Sequence, residues 1–219
     1  MIYDVVHEKS LFYYGRPYHV LIDTLMKPHR TAIAELIPER SAVLDVGCGT
    51  GELSLLLRRT KGCTVVGVDV SARMLDFARH RNPFPDVEFL RRDASSLGSF
   101  GDRHFDYAVL CQVLHELPRD KAMAAIAEAM RVVDQVALLD YHSPLPNNPF
   151  GLVPRLLEAT IGLDHHPQFE SFVAGGGLIG LVEEAGFSAS VRRKLLVEGG
   201  GNDLVVLSAS PEGTTLATN

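Results

Sequence analysis

Hydrophobic and polar positions along the chain switch repeatedly between two patterns. Short, β-branched apolar runs read as strands: AVLDV at 42–46, TVVGV at 64–68, VEFL at 87–90, FDYAVLC at 105–111 and VALLD at 136–140. Between them, apolar residues recur at helical spacing. Gly51 to Arg59 carries Leu53, Leu55, Leu56 and Leu57. A helix capped by Ser71 carries Met74, Leu75, Phe77 and Ala78 and is broken by Pro83 and Pro85. Arg119 to Val133 is a third, alanine-rich helix. Strands alternating with helices imply crossover connections and a parallel sheet covered on both faces. After Tyr141 the pattern lapses into the loop HSPLPNNP at 142–149. Leu152, Val153, Leu156, Leu157, Thr160 and Ile161 then return at helical spacing. Gly175 to Gly177 precede a helix ending near Gly186. Phe187 to Val197 and Asp203 to Ala209, joined by EGGGN, predict an antiparallel hairpin that closes the sheet.

The length of 219 residues suits one α/β domain with a sizeable core. The pattern divides it into an N-terminal helical and aromatic cap over 1–40, a main domain over 41–210 with an insert at 142–172, and a flexible tail over 211–219. A net charge of −6 argues against a nucleic-acid partner held by broad electrostatics. The pairs Arg58/Arg59, Arg91/Arg92 and Arg192/Arg193 are scattered and read as solvated faces. Cys48, Cys63 and Cys111 are odd in number and lack metal-ligand spacing, so no metal is expected. The N-terminus does not read as a signal peptide, and no run of about 18 apolar residues suggests a membrane span. The expected compartment is the cytoplasm.

Gly47, Gly49 and Gly51 occupy alternate positions between the first strand and the helix after it. Such a turn lets a ligand touch the main chain at the carboxyl end of a parallel strand, where free N–H groups favour an anionic group. The spacing narrows the ligand. A dinucleotide fingerprint needs a third glycine where Glu52 stands, and a phosphate-binding loop needs a Gly-Lys-Ser/Thr ending that is absent.

DVGCGTG at 45–51 resembles the first motif of the class I S-adenosylmethionine-dependent methyltransferases. VVGVDVSARMLDFA, FLRRDASSL and FDYAVLCQVLHEL continue the resemblance in register, over about 41–141. It implies a Rossmann-like seven-stranded sheet, mostly parallel with a C-terminal antiparallel hairpin and helices on both faces. It implies S-adenosylmethionine as cofactor. The turn Gly47, Cys48, Gly49, Gly51 would lie against the methionine and ribose portions. Asp69, followed by Val70, stands at the end of the second strand, where a carboxylate can accept from both ribose hydroxyls. By the same resemblance, Asp93 and Ala94 would address the adenine, and Asp45 the methionine ammonium or the turn itself. Cys48 reads as a small spacer, and Cys111, at the end of the fourth strand, reads as a core residue or as a candidate cofactor contact.

The acceptor side is read from QVLHELP at 112–118. Gln112 and His115 stand three apart and would share one face toward the cofactor, with His115 as a general base or as a hydrogen-bonding residue packed beneath it. LLDYHSP at 138–144 is similar to the fifth-strand segment of the ubiquinone and menaquinone biosynthesis methyltransferases, although QVLHELP replaces that group's asparagine-containing segment. Tyr141 and His142 are candidate pocket residues on this basis. The N-terminal aromatics Tyr3, Phe12, Tyr13, Tyr14 and Tyr18 could cover the cofactor, with Tyr13 and Tyr14 lining the acceptor pocket. The insert 142–172 is the second candidate cover: its amphipathic stretch 150–163 could lie on a membrane, but it lacks the basic face such helices usually show and reads rather as a lid over a hydrophobic acceptor. His165 and His166, near Asp164 and Glu170, read as polar lining. The reading is thus a methyltransferase acting on a small, quinone-like or lipid-like acceptor, with room for an oligomer. The alternative is an inactive protein of the same fold that binds the cofactor as a sensor or partner subunit.

Overall fold

The computed structural model describes residue 19, residues 22–161 and residues 166–208. Helix α1 (Lys27–Leu36) precedes strand β1 (Ala42–Val46). Helix α2 (Glu52–Lys61), β2 (Thr64–Asp69), α3 (Ala72–Arg81), β3 (Val87–Arg91) and β4 (Phe105–Cys111) follow. A short 3-10 turn at Leu114–Glu116 leads into α4 (Arg119–Val132) and β5 (Val133–Tyr141). The chain then forms α5 (Pro149–Ile161), α6 (His166–Ala174), α7 (Gly177–Glu184), β6 (Val191–Val197) and β7 (Asn202–Ser208).

The strands form one seven-stranded sheet in the order β3-β2-β1-β4-β5-β7-β6. The first five run parallel, and β7 runs antiparallel to both β5 and β6. Strand direction therefore agrees with the sequence pattern, with two shifts of boundary. Strand β5 starts at Val133 rather than Val136, because its pairing with Phe105 extends the ladder backwards. The last hairpin starts at Val191 rather than Phe187, because Ser188–Ser190 make a 3-10 turn. The N-terminal half of the insert is helical as the spacing predicts, but α6 has no counterpart in the sequence reading.

Alternation along the strands divides the core in two. Ala108 and Leu110 of β4 face one layer, packed with Ala122, Ala125, Ile126 and Ala129 of α4, Phe169 and Phe172 of α6 and Leu178 and Leu181 of α7. Tyr107 and Val109 face the other, with Ile33 of α1, Leu53, Leu55 and Leu57 of α2 and Leu75 of α3. Each fully buried leucine or isoleucine contributes about 1.5–3 kcal/mol, so the pattern that fixes strand direction also fixes which helices lie on which face. The termini of the connecting helices follow local rules. Gly62 ends α2 at φ 67°, with its N–H donating to Arg58 O. The Ser71 hydroxyl accepts from the Met74 N–H at the start of α3.

Candidate active site

The sheet order reverses between β1 and β4, and a cavity of about 630 Å³ opens at the carboxyl ends of the strands there. Open parallel sheets hold their ligands at such a switch point, and the volume is ordinary for a small-molecule site. The glycine turn forms its floor. Gly47 and Cys48 donate their N–H groups to the Val68 carbonyl at 2.8 and 3.0 Å, fastening the turn to β2.

The three glycines are needed for different reasons, although all have positive φ: 72° at Gly47, 53° at Gly49 and 77° at Gly51. A β-carbon on Gly47 would meet Val113 at 2.5 Å, and one on Gly51 would meet Phe89 at 2.6 Å. At Gly49 it would meet nothing within 4 Å, because that position faces the open cavity. The cradle is therefore clear where a ligand must lie and packed on either side. Gly51, read from the sequence as a cofactor contact, caps α2 and does not line the cavity.

Asp69 ends β2 with both carboxylate oxygens already receiving main-chain donors. Oδ2 accepts from the Gly49 N–H and Oδ1 from the Ser71 N–H, each at 2.8 Å. Asp45 lies beneath the turn, 2 % exposed, and accepts from the Ser54 hydroxyl at 2.5 Å. Burial pushes its pKa up to about 6, against the opposing hydrogen bond from Ser54. Asp93 accepts from the Ser95 N–H at 2.8 Å and from its hydroxyl at 2.7 Å, which rigidifies the loop after β3. Burial also raises the Cys48 thiol well above the ordinary range, with Asp69 and Asp45 adding to the shift. It therefore stays a protonated spacer.

Asp45, Gly47, Cys48, Gly49, Asp69, Val70, Asp93, Ala94, Cys111 and Gln112 all line this cavity. His115, Tyr141 and His142 do not, and the expectation that Gln112 and His115 share a face is corrected. Gln112 adopts φ 58°, a left-handed conformation that breaks the helical spacing. Its side chain donates to Asn202 Oδ1 at 2.7 Å, and Asn202 Nδ2 donates in turn to His29 Nε2 at 2.8 Å. His29 is buried and held neutral, its pKa lowered to about 4 by burial and by the nearby Arg30.

His115 turns the other way, into the core. Its Nδ1 lies 2.7 Å from Asp140 Oδ1 and its Nε2 lies 3.4 Å from Glu158 Oε1. Burial alone would lower its pKa, but Asp140 and Glu158 outweigh burial and hold the ring as an imidazolium. Asp140 also accepts the N–H groups of Leu114 and Tyr141, at 2.9 and 2.8 Å, and so fixes the turn after β4. The Tyr141 hydroxyl donates to Glu158 at 3.2 Å, and His142 Nδ1 lies 2.9 Å from the buried Asp203. These candidates for the acceptor pocket are thus engaged behind the cavity wall. Tyr13, Tyr14 and His165 lie outside the described residues, and His166 stands 4.0 Å from Glu170 of its own helix.

Several cavity residues carry no signal in the local sequence pattern. Met26 and Arg30 reach it from the N-terminal segment, Lys121 from α4 and Gln168 from α6. Arg30 pairs with Asp23 at 2.5 Å, and Asp23 also accepts from the Thr50 hydroxyl at 2.7 Å. The segment around α1 is thereby tied to the glycine turn. No helix among the described residues is long and apolar enough to cross a membrane.

Residues 43–135 match the model of the methyltransferase domain family. The demethylmenaquinone methyltransferase of Thermus thermophilus is 31 % identical over 183 residues, covering 75 % of this chain and 80 % of the relative. The fatty-acid O-methyltransferase of Mycolicibacterium smegmatis is 34 % identical over 105 residues, covering 47 % and 38 %. The chain spans about half the length of several other curated relatives that it matches. In fold it is similar to the magnesium protoporphyrin IX methyltransferase of Synechocystis, solved with bound S-adenosylhomocysteine. That likeness has a TM-score of 0.55 at 19 % identity and covers 86 % of this chain and 83 % of the other. The glycine cradle left clear at Gly49 and the carboxylate of Asp69 at the end of β2 both border the cavity. The chain belongs to the class I S-adenosylmethionine-dependent methyltransferases.

Proposed function

We propose that the protein transfers a methyl group from S-adenosylmethionine to a small, apolar acceptor of quinone-like or lipid-like character. The observation that carries the reading is the cavity itself, in which a main-chain cradle, Asp69 at the end of β2 and Asp93 in the loop after β3 stand among apolar walls from Met26, Leu53, Met74, Val113 and Leu117. The names of the relatives that act on demethylmenaquinone and on fatty acids support the acceptor class.

When bound, the cofactor supplies a methyl group already activated on a sulfonium, so the chain's part is positioning. Asp69 would accept from the ribose hydroxyls. Asp93 and the Ala94 main chain would address the adenine edge. Asp45, ionised above about pH 6, would take the methionine ammonium, with Arg30 as the cation for its carboxylate. Gln112, held by Asn202, and Cys111 border the end of β4 where an acceptor would approach. His115 acts as a positioning residue: its charge is bound by Asp140 and Glu158, so it shapes the turn that carries Gln112 and Val113.

Incubation with S-adenosylmethionine and either a demethylated naphthoquinol or a fatty acid tests the reading through release of S-adenosylhomocysteine. Turnover with either acceptor is expected. Tight cofactor binding without turnover on either would instead favour the inactive, cofactor-binding alternative.

A further inference from the structure

A chain of hydrogen bonds sets the polarity that Gln112 offers to the cavity. His29 is buried and neutral, and its Nε2 lies 2.8 Å from Asn202 Nδ2, a group that can only donate. Asn202 is 3 % exposed, so water does not compete for its amide. Its Oδ1 is therefore left to Gln112, and accepts from Gln112 Nε2 at 2.7 Å. Each link orients the next. The amino group of Gln112 is engaged on the core side, and among the described residues nothing bonds its Oε1. Gln112 lines the cavity, so a carbonyl oxygen is what it presents to a ligand there.

The backbone is held to the same end. Gln112 has φ 58°, a conformation that residues with side chains rarely adopt, and its N–H donates to the Leu139 carbonyl at 2.8 Å. Such positions persist where the surroundings over-determine them, and they cluster at ligand sites.

Charge narrows what the oxygen can meet. The turn after β4 also brings Cys111, Val113, Glu116 and Leu117 to the cavity, and the charged one is an acid. The cation of that turn, His115, is bound by Asp140 in the core. The cations that line the cavity are bonded elsewhere: Arg30 to Asp23, Arg91 to the Val70 carbonyl, Arg92 to Ser99 and Lys121 to Ser95. A carboxylate has only acceptor oxygens, so beside Gln112 it would set acceptor against acceptor. A phenol keeps its proton near neutral pH and can donate it. We propose that Gln112 Oε1 accepts a hydrogen bond from a hydroxyl of the methyl acceptor, so that the site takes a phenol or quinol and rejects a carboxylate. The inference rests on the methyl-transfer reading above and narrows its acceptor class.

Calorimetry on the S-adenosylhomocysteine complex with 1-naphthol, 1-methoxynaphthalene and 1-naphthoate tests this without requiring turnover. The three probes share one ring system and differ in the group offered to Gln112. The wild type should bind 1-naphthol about tenfold more tightly than either of the others, the scale of one hydrogen bond made rather than left unpaired. Gln112→Met keeps the length of the side chain and should bring the three affinities within about twofold of one another. Asn202→Ala releases the Gln112 amide and should lower the same preference, and it serves as the second variant where the first does not fold. A ratio taken within one protein cancels any general loss of stability or cofactor affinity. Equal affinities in the wild type, no binding of any probe, or an undiminished ratio in both variants would each overturn the proposal. Tighter binding of the naphthoate would overturn it as well, by placing the amino group of Gln112 toward the cavity. In the turnover assay, a fatty acid methylated in preference to the naphthoquinol would overturn this inference and leave methyl transfer standing. Naphthol preference without turnover on either acceptor would remove the catalytic reading and support the role of Gln112 in binding.

Discussion

Asp69 Oδ2 accepts the Gly49 N–H at 2.8 Å, so the carboxylate at the end of β2 also holds the glycine turn in shape. Asp69→Ala should therefore weaken S-adenosylhomocysteine binding by about 1.5–3 kcal/mol, the scale of hydrogen bonds to a charged group. A 2′,3′-dideoxyribose analogue should lose less, but more than nothing, because the Gly49 and Ser71 N–H groups are stranded whichever ligand binds. Equal losses for both ligands in calorimetry would mean that Asp69 acts only by shaping the turn.

The glycines should separate when substituted one at a time. Gly51→Ala forces a β-carbon against Phe89 at a left-handed φ, so its cost should appear as a lower Tm. Gly49→Val should cost about 1 kcal/mol or somewhat more in backbone strain yet remove most cofactor affinity, because its side chain enters the open cavity. Thermal melts paired with titrations check this. A Gly49→Val protein that binds normally would overturn the placement of the ligand.

Asp45 makes cofactor binding depend on pH. Its carboxyl is protonated below about pH 6 and, once ionised, is the natural partner of an ammonium. Binding that ammonium favours the ionised form, so affinity should rise with pH through that point and level off above it. Asp45→Asn should flatten the curve and lower the plateau. A wild-type affinity that is constant between about pH 5 and pH 7 would remove Asp45 from the ammonium site.

His29 and His115 should act oppositely on stability. The pKa of His29 falls to about 4 in the fold, below its ordinary 6.5. Its contribution is present above pH 6.5 and lost as pH falls toward 4, by about 3 kcal/mol in all. Asp45, raised to about 6, offsets part of that loss over the same window. The change is therefore read as the difference between wild type and His29→Gln in urea unfolding, and that difference should shrink as the pH is lowered.

For His115 the pKa is raised, so its contribution is full below 6.5 and lost only as pH climbs through the folded value. His115→Leu leaves the buried Asp140 without its cation and should cost about 3–5 kcal/mol. Its principal effect should be on stability, with kcat changed little in whatever protein remains folded. A large fall in kcat at unchanged Tm would restore His115 as a general base.

Much of this molecule was legible along the chain because its signals are local. Apolar runs such as AVLDV and TVVGV suit only buried strands, and their alternation with helical periods dictates parallel crossovers. The glycine turn was legible because three positions without side chains are needed where φ is positive and packing is close. Asp69 was legible as a candidate because it ends β2, where an open parallel sheet meets its ligand, whereas Asp93, in the loop after β3, was reached only through the family resemblance. The fate of the polar residues after β4 was not legible. Gln112 and His115 are equally polar and three apart, and periodicity places both toward the cavity. Only the left-handed backbone at Gln112 and partners 25 and 90 positions away, Asp140 and Asn202, send one to the cavity wall and the other into the core. The same holds for Arg30, Lys121 and Gln168, which reach the cavity because three helices converge on it. Local pattern encodes which face of an element is buried, while the neighbour that meets each face is fixed only when the sheet closes.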